Sequence, residues 1–330
     1  MPQSTEPQLF APAASRPFAE RVAAELGLGL SPLEEREFED SEYKIRPLLS
    51  VRGRDVYLLQ SLAADRDNSA DDKLCRTLFA IAALKDAGAA RVTAVLPYLA
   101  YGRKDRRTKP RDPLTTRYVA QLFEAVGVDC VVGLDVHNLA AFQNAFRCRT
   151  EHLEARRVLL SWLQVELGEQ PWTLVSPDAG GVKRVDRFRQ ACGRELGVEP
   201  PTAFMEKQRS SGVVSGTHLV GEVKDRVAII VDDLVSSGTT LIRAAKACRK
   251  QGARAVYGVV THGLFAKDAN KVLADPALDR LVVSDSVSLW RLDPKLREQK
   301  VSEVSVIPLL AEAIRRLHDD GSLVELLESP

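Results

Sequence analysis

The sequence predicts an α/β protein made of two similar, doubly wound domains with mainly parallel sheets. Three observations carry this. Short β-branched runs are apolar at successive positions rather than alternate ones, as strands covered on both faces require. Amphipathic helical patterns separate these runs, and several end at a glycine suited to a left-handed cap. The alternation runs once to about Leu134 and begins again near Trp172. Alternating strand and helix is the mark of α/β architecture.

The strand runs lie at 56–60, 92–97, 131–134, 173–175, 227–231, 255–260 and 281–283. Helical patterns lie at 71–86, 115–126, 180–192 and 239–250, with Gly88, Gly127 and Gly252 as caps. In the 239–250 pattern, Leu241, Ala245 and Cys248 form an apolar stripe opposite Arg243, Lys246, Arg249 and Lys250. A helical pattern at 152–167, together with 168–171, reads as the link between domains. Residues 211–222, rich in Gly, Ser and Val, read either as an antiparallel flap or as a mobile loop. Pro308 suits the first turn of a terminal helix that runs to His318. The expected domains are 1–150 and 151–305, with 306–330 packing back on the first.

Composition sets bounds. The 330 residues are enough for two domains at roughly 100–200 residues each. Lys and Arg total 46 against 45 Asp and Glu, so the net charge of +1 exerts no global pull on nucleic acid or anionic membrane. No apolar run approaches the roughly 18 residues of a membrane helix. The polar, Pro-rich start lacks the basic and apolar regions of a signal peptide. Five scattered cysteines show no CxxC pair or zinc spacing and read as reduced core residues. A cytoplasmic protein that contacts neither nucleic acid nor membrane is expected.

The strongest chemical signal is VAIIVDDLVSSGTT, from Val227 to Thr240. A buried strand ends in Asp232 and Asp233, then a hydroxyl and glycine loop leads into a helix. Ligands of open parallel sheets bind at the carboxyl ends of strands. Ser236, Ser237, Gly238, Thr239 and Thr240 would offer backbone N–H groups and hydroxyls at a helix start, a natural phosphate cradle. The paired acids suit a polyhydroxyl substrate or a hydrated cation. An ordinary turn with a serine cap is the alternative reading.

Other segments add charge at strand ends. YGRKDRR, from Tyr101, gathers Arg103, Lys104, Arg106 and Arg107 around Asp105, which points to a small polyanion such as a nucleoside triphosphate. A solvated loop is the alternative. His137 follows Asp135 just past a strand; alone it reads as structural, but beside an acid at this edge it gains functional weight. SPDAGGVKR, from Ser176 to Arg184, carries Asp178, able to bind a metal or a sugar hydroxyl, and a Gly pair that admits a phosphate; an Asp cap is the alternative. Lys207 and Arg209 would share one face of an extended segment, where a mobile flap could bring them over a phosphate chain. Read alone, they are better taken as solvated surface charges. EFEDSEYK, from Glu37, is an acidic loop with an aromatic. No GxxxxGK[ST] loop exists in the chain.

On these motifs the chain resembles the type I phosphoribosyltransferase folds and, more narrowly, the ribose-phosphate pyrophosphokinase (phosphoribosyl pyrophosphate synthetase) family, from about Phe10 to His318. The flap and ribose-phosphate loop look closest to archaeal-type members. The resemblance implies transfer of the diphosphoryl group of Mg²⁺–ATP to the C1 hydroxyl of ribose 5-phosphate, giving phosphoribosyl pyrophosphate and AMP. It assigns ATP binding to Phe38, Asp40, Glu42, Arg103, Lys104 and His137. Asp232, Asp233 and residues 236–240 would hold ribose 5-phosphate, His137 and Asp178 the metal, and Lys207 and Arg209 the catalytic charge. It also implies a homo-oligomer, a dimer or dimer-based hexamer, with the Phe38 loop completing a neighbour's ATP site. Ser41 and Thr239 stand where the family has Gly, Ser236 where it has a third acid, and Gly102 and Lys104 depart mildly. A phosphoribosyltransferase and a non-catalytic regulatory paralog are the alternative functions.

Overall fold

The apolar runs become inner strands of two sheets. The computed structural model describes residues 6–210, 213–266 and 268–328, with only the backbone for 207–210, 213–217 and 328. The chain divides into two units. The first runs to Glu154 and takes in the chain again from Ile307; the second is Ala155–Val306.

The first unit contains, in order, β1 (Gln8–Phe10), α1 (Arg16–Glu25), β2 (Leu33–Glu37), β3 (Tyr43–Pro47), β4 (Asp55–Leu59), α2 (Ala70–Asp86), β5 (Arg91–Leu96), α3 (Thr115–Ala125), β6 (Cys130–Leu134), α4 (Leu139–Ala145) and β7 (Arg149–Leu153). Its five-stranded sheet has the order β1-β4-β5-β6-β7 and is parallel throughout. One rung reads Phe10, Leu58, Ala94, Val131, Thr150. The first four are fully buried, which explains the unbroken apolar runs. β2 and β3 form a separate hairpin. Helix α2 starts with a capping box, in which Ser69 Oγ accepts from the Asp72 amide and Asp72 accepts from the Ser69 amide. Gly88, Gly127 and Gly252 follow helix ends at φ of 88°, 84° and 85°.

The second unit contains α5 (Arg156–Leu167), β8 (Trp172–Ser176), α6 (Val182–Leu196), β9 (Thr202–Ser210), β10 (Val213–Val220), β11 (Val227–Val235), α7 (Thr239–Lys250), β12 (Ala255–Gly263), α8 (Ala269–Leu273), β13 (Arg280–Ser284), α9 (Pro294–Lys300) and β14 (Val301–Val304). Its sheet order is β10-β9-β8-β11-β12-β13-β14, parallel except for the β9–β10 pair. From β8 the chain moves to one side, and from β11 to the other, so the winding reverses between β8 and β11. The 211–222 segment takes the antiparallel form where it is described. Helices α10 (Ile307–His318) and α11 (Leu323–Glu328) return to the first unit. There Ile307, Leu310, Ile314 and Leu317 of α10 are buried, the Arg91 guanidinium donates to Leu317 O at 3.0 Å, and His318 Nδ1 lies 2.7 Å from Asp55 Oδ2.

One element departs from expectation. Residues 152–167 are not all helical: β7 closes the sheet edge to Leu153, and helix begins only at Arg156. An edge strand such as RTEHL exposes polar groups and carries no apolar run to mark it. Cys130, Cys192 and Cys248 are buried free thiols, each pushed up to about 12 by burial, whereas Cys75 is exposed. Among the described residues no helix is long and apolar enough to cross a membrane.

Candidate active site

The paired acids sit where the second sheet opens. β11 pairs with β8 only as far as Ile230–Val175, yet it continues along β12 to Val235–Gly263. Beyond Val175 the two strands part, at the winding reversal where doubly wound sheets bind ligands. Neighbouring residues of a strand point to opposite faces, but here one cation reaches both carboxylates. Arg184 Nη1 lies 2.8 Å from Asp232 Oδ1 and Nη2 lies 3.0 Å from Asp233 Oδ1. The Asp233 amide also donates to Asp232 Oδ1 at 2.9 Å. Asp233 keeps only 4% of its surface exposed. Burial, then the charge of Asp233, pushes Asp232 well above the ordinary carboxylate range, while Arg184 opposes the shift.

Two turns flank this pair. After β8, Asp178 Oδ1 accepts from the amides of Gly180 and Gly181 at 2.9 and 3.0 Å, and Ser176 Oγ donates to Asp178 O at 2.7 Å. A Cβ on Gly181 would stand 2.7 Å from Ser176 Oγ, so the turn needs glycine there. Asp178 thus acts as the cap of the turn, and its carboxylate stands at the ligand edge as well. The turn starts α6 at Val182 and places Arg184 in its first turn, toward β11. After β11, Gly238 caps α7 at φ 81°, and an added Cβ would meet Leu273 Cδ2 at 2.8 Å. Ser237 Oγ accepts from the Thr239 amide at 3.4 Å and lies 3.0 Å from Thr239 Oγ1. The opening amides of α7 have no intrahelical acceptors, so together with these hydroxyls they offer donors of the kind that can receive an anion.

In the first unit, two loops leave the adjacent strands β5 and β6. Thr116 Oγ1 donates to Tyr101 O (2.9 Å) and Lys104 O (3.1 Å), fixing the basic loop to α3. Lys104 Nζ pairs with Asp112 Oδ2 at 2.7 Å. Asp112 also accepts from the Thr108 hydroxyl and from the amides of Thr108 and Lys109. The Lys104 bond, then those from Thr108, hold Asp112 well below the usual carboxylate range. Arg103 is exposed. Asn138 Nδ2 donates to Asp105 Oδ2 at 2.6 Å, which joins the basic loop to the turn that presents exposed His137.

The acidic loop is the tip of the β2–β3 hairpin. The Phe38 amide donates to Glu42 O at 2.8 Å and the Ser41 amide to Phe38 O at 2.9 Å. Ser41 sits at φ 69°, the left-handed conformation that a glycine would take without strain. The Glu42 amide donates to Asp40 Oδ1 at 3.2 Å. Phe38 is 39% exposed, and the Arg36 guanidinium lies 4.7 Å from its ring centroid.

Comparison with known proteins decides the family. A model of the N-terminal domain of ribose phosphate pyrophosphokinase matches residues 7–127, and one of the phosphoribosyl synthetase-associated domain matches 204–328. The ribose-phosphate pyrophosphokinase of Gloeobacter violaceus is 35% identical over 318 residues, covering 96% of this chain and 91% of that protein. That of Haemophilus ducreyi is 34% identical over 324 residues, covering 98% and 99%. This chain belongs to the ribose-phosphate pyrophosphokinase family. The crystal structure of the phosphoribosylpyrophosphate synthetase of Mycobacterium smegmatis superposes with a TM-score of 0.85 at 30% identity, over 96% of this chain and all of that one.

As a ribose-phosphate pyrophosphokinase, the chain gathers its expected residues in clusters. Asp178, Asp232, Asp233 and the 236–240 loop lie together in the second unit. Arg103, Lys104 and His137 lie on joined loops of the first. Phe38, Asp40 and Glu42 share one hairpin tip, and among the described residues no hydrogen bond or ion pair ties them to those loops. The two residues expected at the metal, His137 and Asp178, belong to different units. Lys207 and Arg209 lie two apart in β9, opposite Thr217 and Val214; their side chains fall outside the described residues. Sequence reasoning missed Arg184. A basic residue in the first turn of the helix that opens at the strand divergence was the signal for it. Asp112, the partner of Lys104, was missed as well.

Proposed function

We propose that this ribose-phosphate pyrophosphokinase transfers the intact diphosphoryl group of Mg²⁺–ATP to the C1 hydroxyl of ribose 5-phosphate. AMP leaves as the β-phosphorus bonds to the C1 oxygen and the hydroxyl proton departs to solvent or base. One observation carries the assignment to this chain: the Asp178 turn, the Asp232–Asp233 pair and the Gly238 cradle converge at the winding reversal of the second sheet. In the proposal the cradle takes the 5-phosphate and the acids take the ribose hydroxyls. Arg103 and His137 meet the triphosphate, and Phe38 stacks on adenine with Asp40 and Glu42 at its polar edge. Lys104 joins them by exchanging its bond to Asp112 for phosphate. Lys207 and Arg209 stabilise charge that develops during transfer.

Mg²⁺ needs hard oxygen donors and usually keeps water and substrate phosphate in its shell. Asp178, a carboxylate whose one oxygen is held by two amides, fits that requirement. Imidazole suits softer metals, so His137 fits better as a phosphate hydrogen-bond donor. Among the described residues no group of three or more His, Cys, Asp or Glu could hold a metal ion. When bound, Mg²⁺ supplies neutralisation of phosphate charge. We further propose a homo-oligomer, dimer or dimer-based hexamer, in which the exposed Phe38 tip completes a neighbour's ATP site, and a cytoplasmic location.

A coupled AMP assay with ATP, Mg²⁺ and ribose 5-phosphate tests the reading. AMP release that requires ribose 5-phosphate and is abolished by a chelator is expected. Release independent of the sugar, or none, overturns it.

A further inference from the structure

Two carboxylates on consecutive residues of one strand repel each other and should diverge, yet both turn toward one guanidinium. Its two terminal nitrogens are divided between them, at 2.8 and 3.0 Å. Only arginine offers such a fork; the ammonium of lysine is a single point. The pair is enclosed, with Asp233 almost fully buried and Asp232 and Arg184 each about one quarter exposed in their side chains. Enclosed like charges cannot both persist without a partner. The backbone that carries Arg184 is fixed, because α6 begins at the turn closed by Asp178 and Gly181.

We propose that Arg184 is a positioning residue that holds Asp232 and Asp233 together as one charged acceptor pair, so that they can receive two neighbouring hydroxyls of the sugar phosphate. This rests on the reading that the pair binds the ribose of ribose 5-phosphate. With both acids ionised, two carboxylates and one guanidinium leave one net negative charge, which suits hydroxyl donors beside a phosphate. The charges acting on Asp232 are Asp233 and Arg184. Other titratable groups at this end of the sheet include Asp178 on the preceding turn, His262 on β12, whose Nδ1 lies 2.8 Å from Ser286 Oγ, Asp285 just past β13, which accepts from the Val306 amide at 2.8 Å, and Arg291, which donates to Leu264 O at 3.3 Å.

The test compares Arg184→Met, Arg184→Lys, Asp233→Asn and the Arg184→Met/Asp233→Asn double variant in the full-length enzyme. Steady-state kinetics and calorimetric titration with ribose 5-phosphate are the readouts. Arg184→Met is expected to raise KM for ribose 5-phosphate about tenfold or more, with KM for ATP within about twofold. Arg184→Lys should recover part of the loss. Adding Arg184→Met to Asp233→Asn should cost clearly less than in the wild type, because the two residues act as one unit. The acid limb of kcat/KM for ribose 5-phosphate should move to higher pH in Arg184→Met, which a purely structural role would not produce. Should Arg184→Met fail to fold, the split in KM for Arg184→Lys decides alone. A normal KM for ribose 5-phosphate in both Arg184 variants, with Asp233→Asn impaired, overturns the proposal and leaves the ribose reading standing. A normal KM in Asp233→Asn overturns the ribose reading itself. Loss confined to kcat or to KM for ATP also overturns the proposal, by making Arg184 a partner of the transferred group.

Discussion

Replacing Gly238 by alanine sets two costs against the turn that opens α7. The residue sits at φ 81°, and a left-handed backbone costs a non-glycine residue about 1–2 kcal/mol. The new methyl would also stand 2.8 Å from Leu273 Cδ2 and 3.1 Å from its Cγ. Leu273 is itself buried, so it has little room to turn away, and overpacking of this kind costs about 1–3 kcal/mol. The sum, about 2–5 kcal/mol, is a large part of the ordinary stability of a domain. All three tryptophans, Trp162, Trp172 and Trp290, lie in the second unit, so urea unfolding followed by their fluorescence reads the affected unit. A turn that escapes strain by flipping to negative φ would swing its amides away from the phosphate. Stability would then recover while KM for ribose 5-phosphate rises. An unchanged unfolding midpoint together with an unchanged KM refutes the account of both the turn and the cradle.

The hairpin tip gives the opposite sign: Ser41→Gly relieves about 1–2 kcal/mol of left-handed strain against about 0.4–1 kcal/mol of added unfolded-state entropy. A net gain of about 0–1.6 kcal/mol, read by thermal melting, is therefore expected, and a loss of stability would contradict it. Lys207→Ala should lower kcat by about 10²–10³, the usual cost of a lost transition-state donor, with KM for ATP little changed in steady-state assays; full turnover removes the role. Burial and Asp233 raise Asp232 in the folded state, so the stability tied to its neutral form is complete below the unfolded carboxylate range and is lost as pH rises through the folded value. Asp232→Asn should thus match wild type near pH 4 and melt higher near pH 8, each 1 kcal/mol showing as about 2–4 °C. A melting difference that does not vary with pH would contradict this assignment.

What was legible in the sequence, and what was not, divides by the range of the interactions. The runs at 92–97 and 227–231 announce themselves because each residue is buried from both sides, so local composition reports global position. The Gly238 turn is legible for a related reason: positive φ, a helix start and a phosphate cradle are all demands on adjacent residues. β2 and β7 escape notice because LEERE and RTEHL satisfy their backbones in a sheet while leaving charged side chains outside. No apolar period marks them, and pairing alone makes them strands. Arg184 lies 48 residues from Asp232, and Lys104 lies eight from Asp112 across a turn. Neither pair has a spacing that sets it apart from solvated charge. Burial does distinguish the first pair, since an enclosed Asp233 cannot keep its charge without a fixed cation, and the fold supplies one by opening α6 on the glycines of the preceding turn. The pair of acids is therefore written in β11, but the cation that holds them together comes from α6.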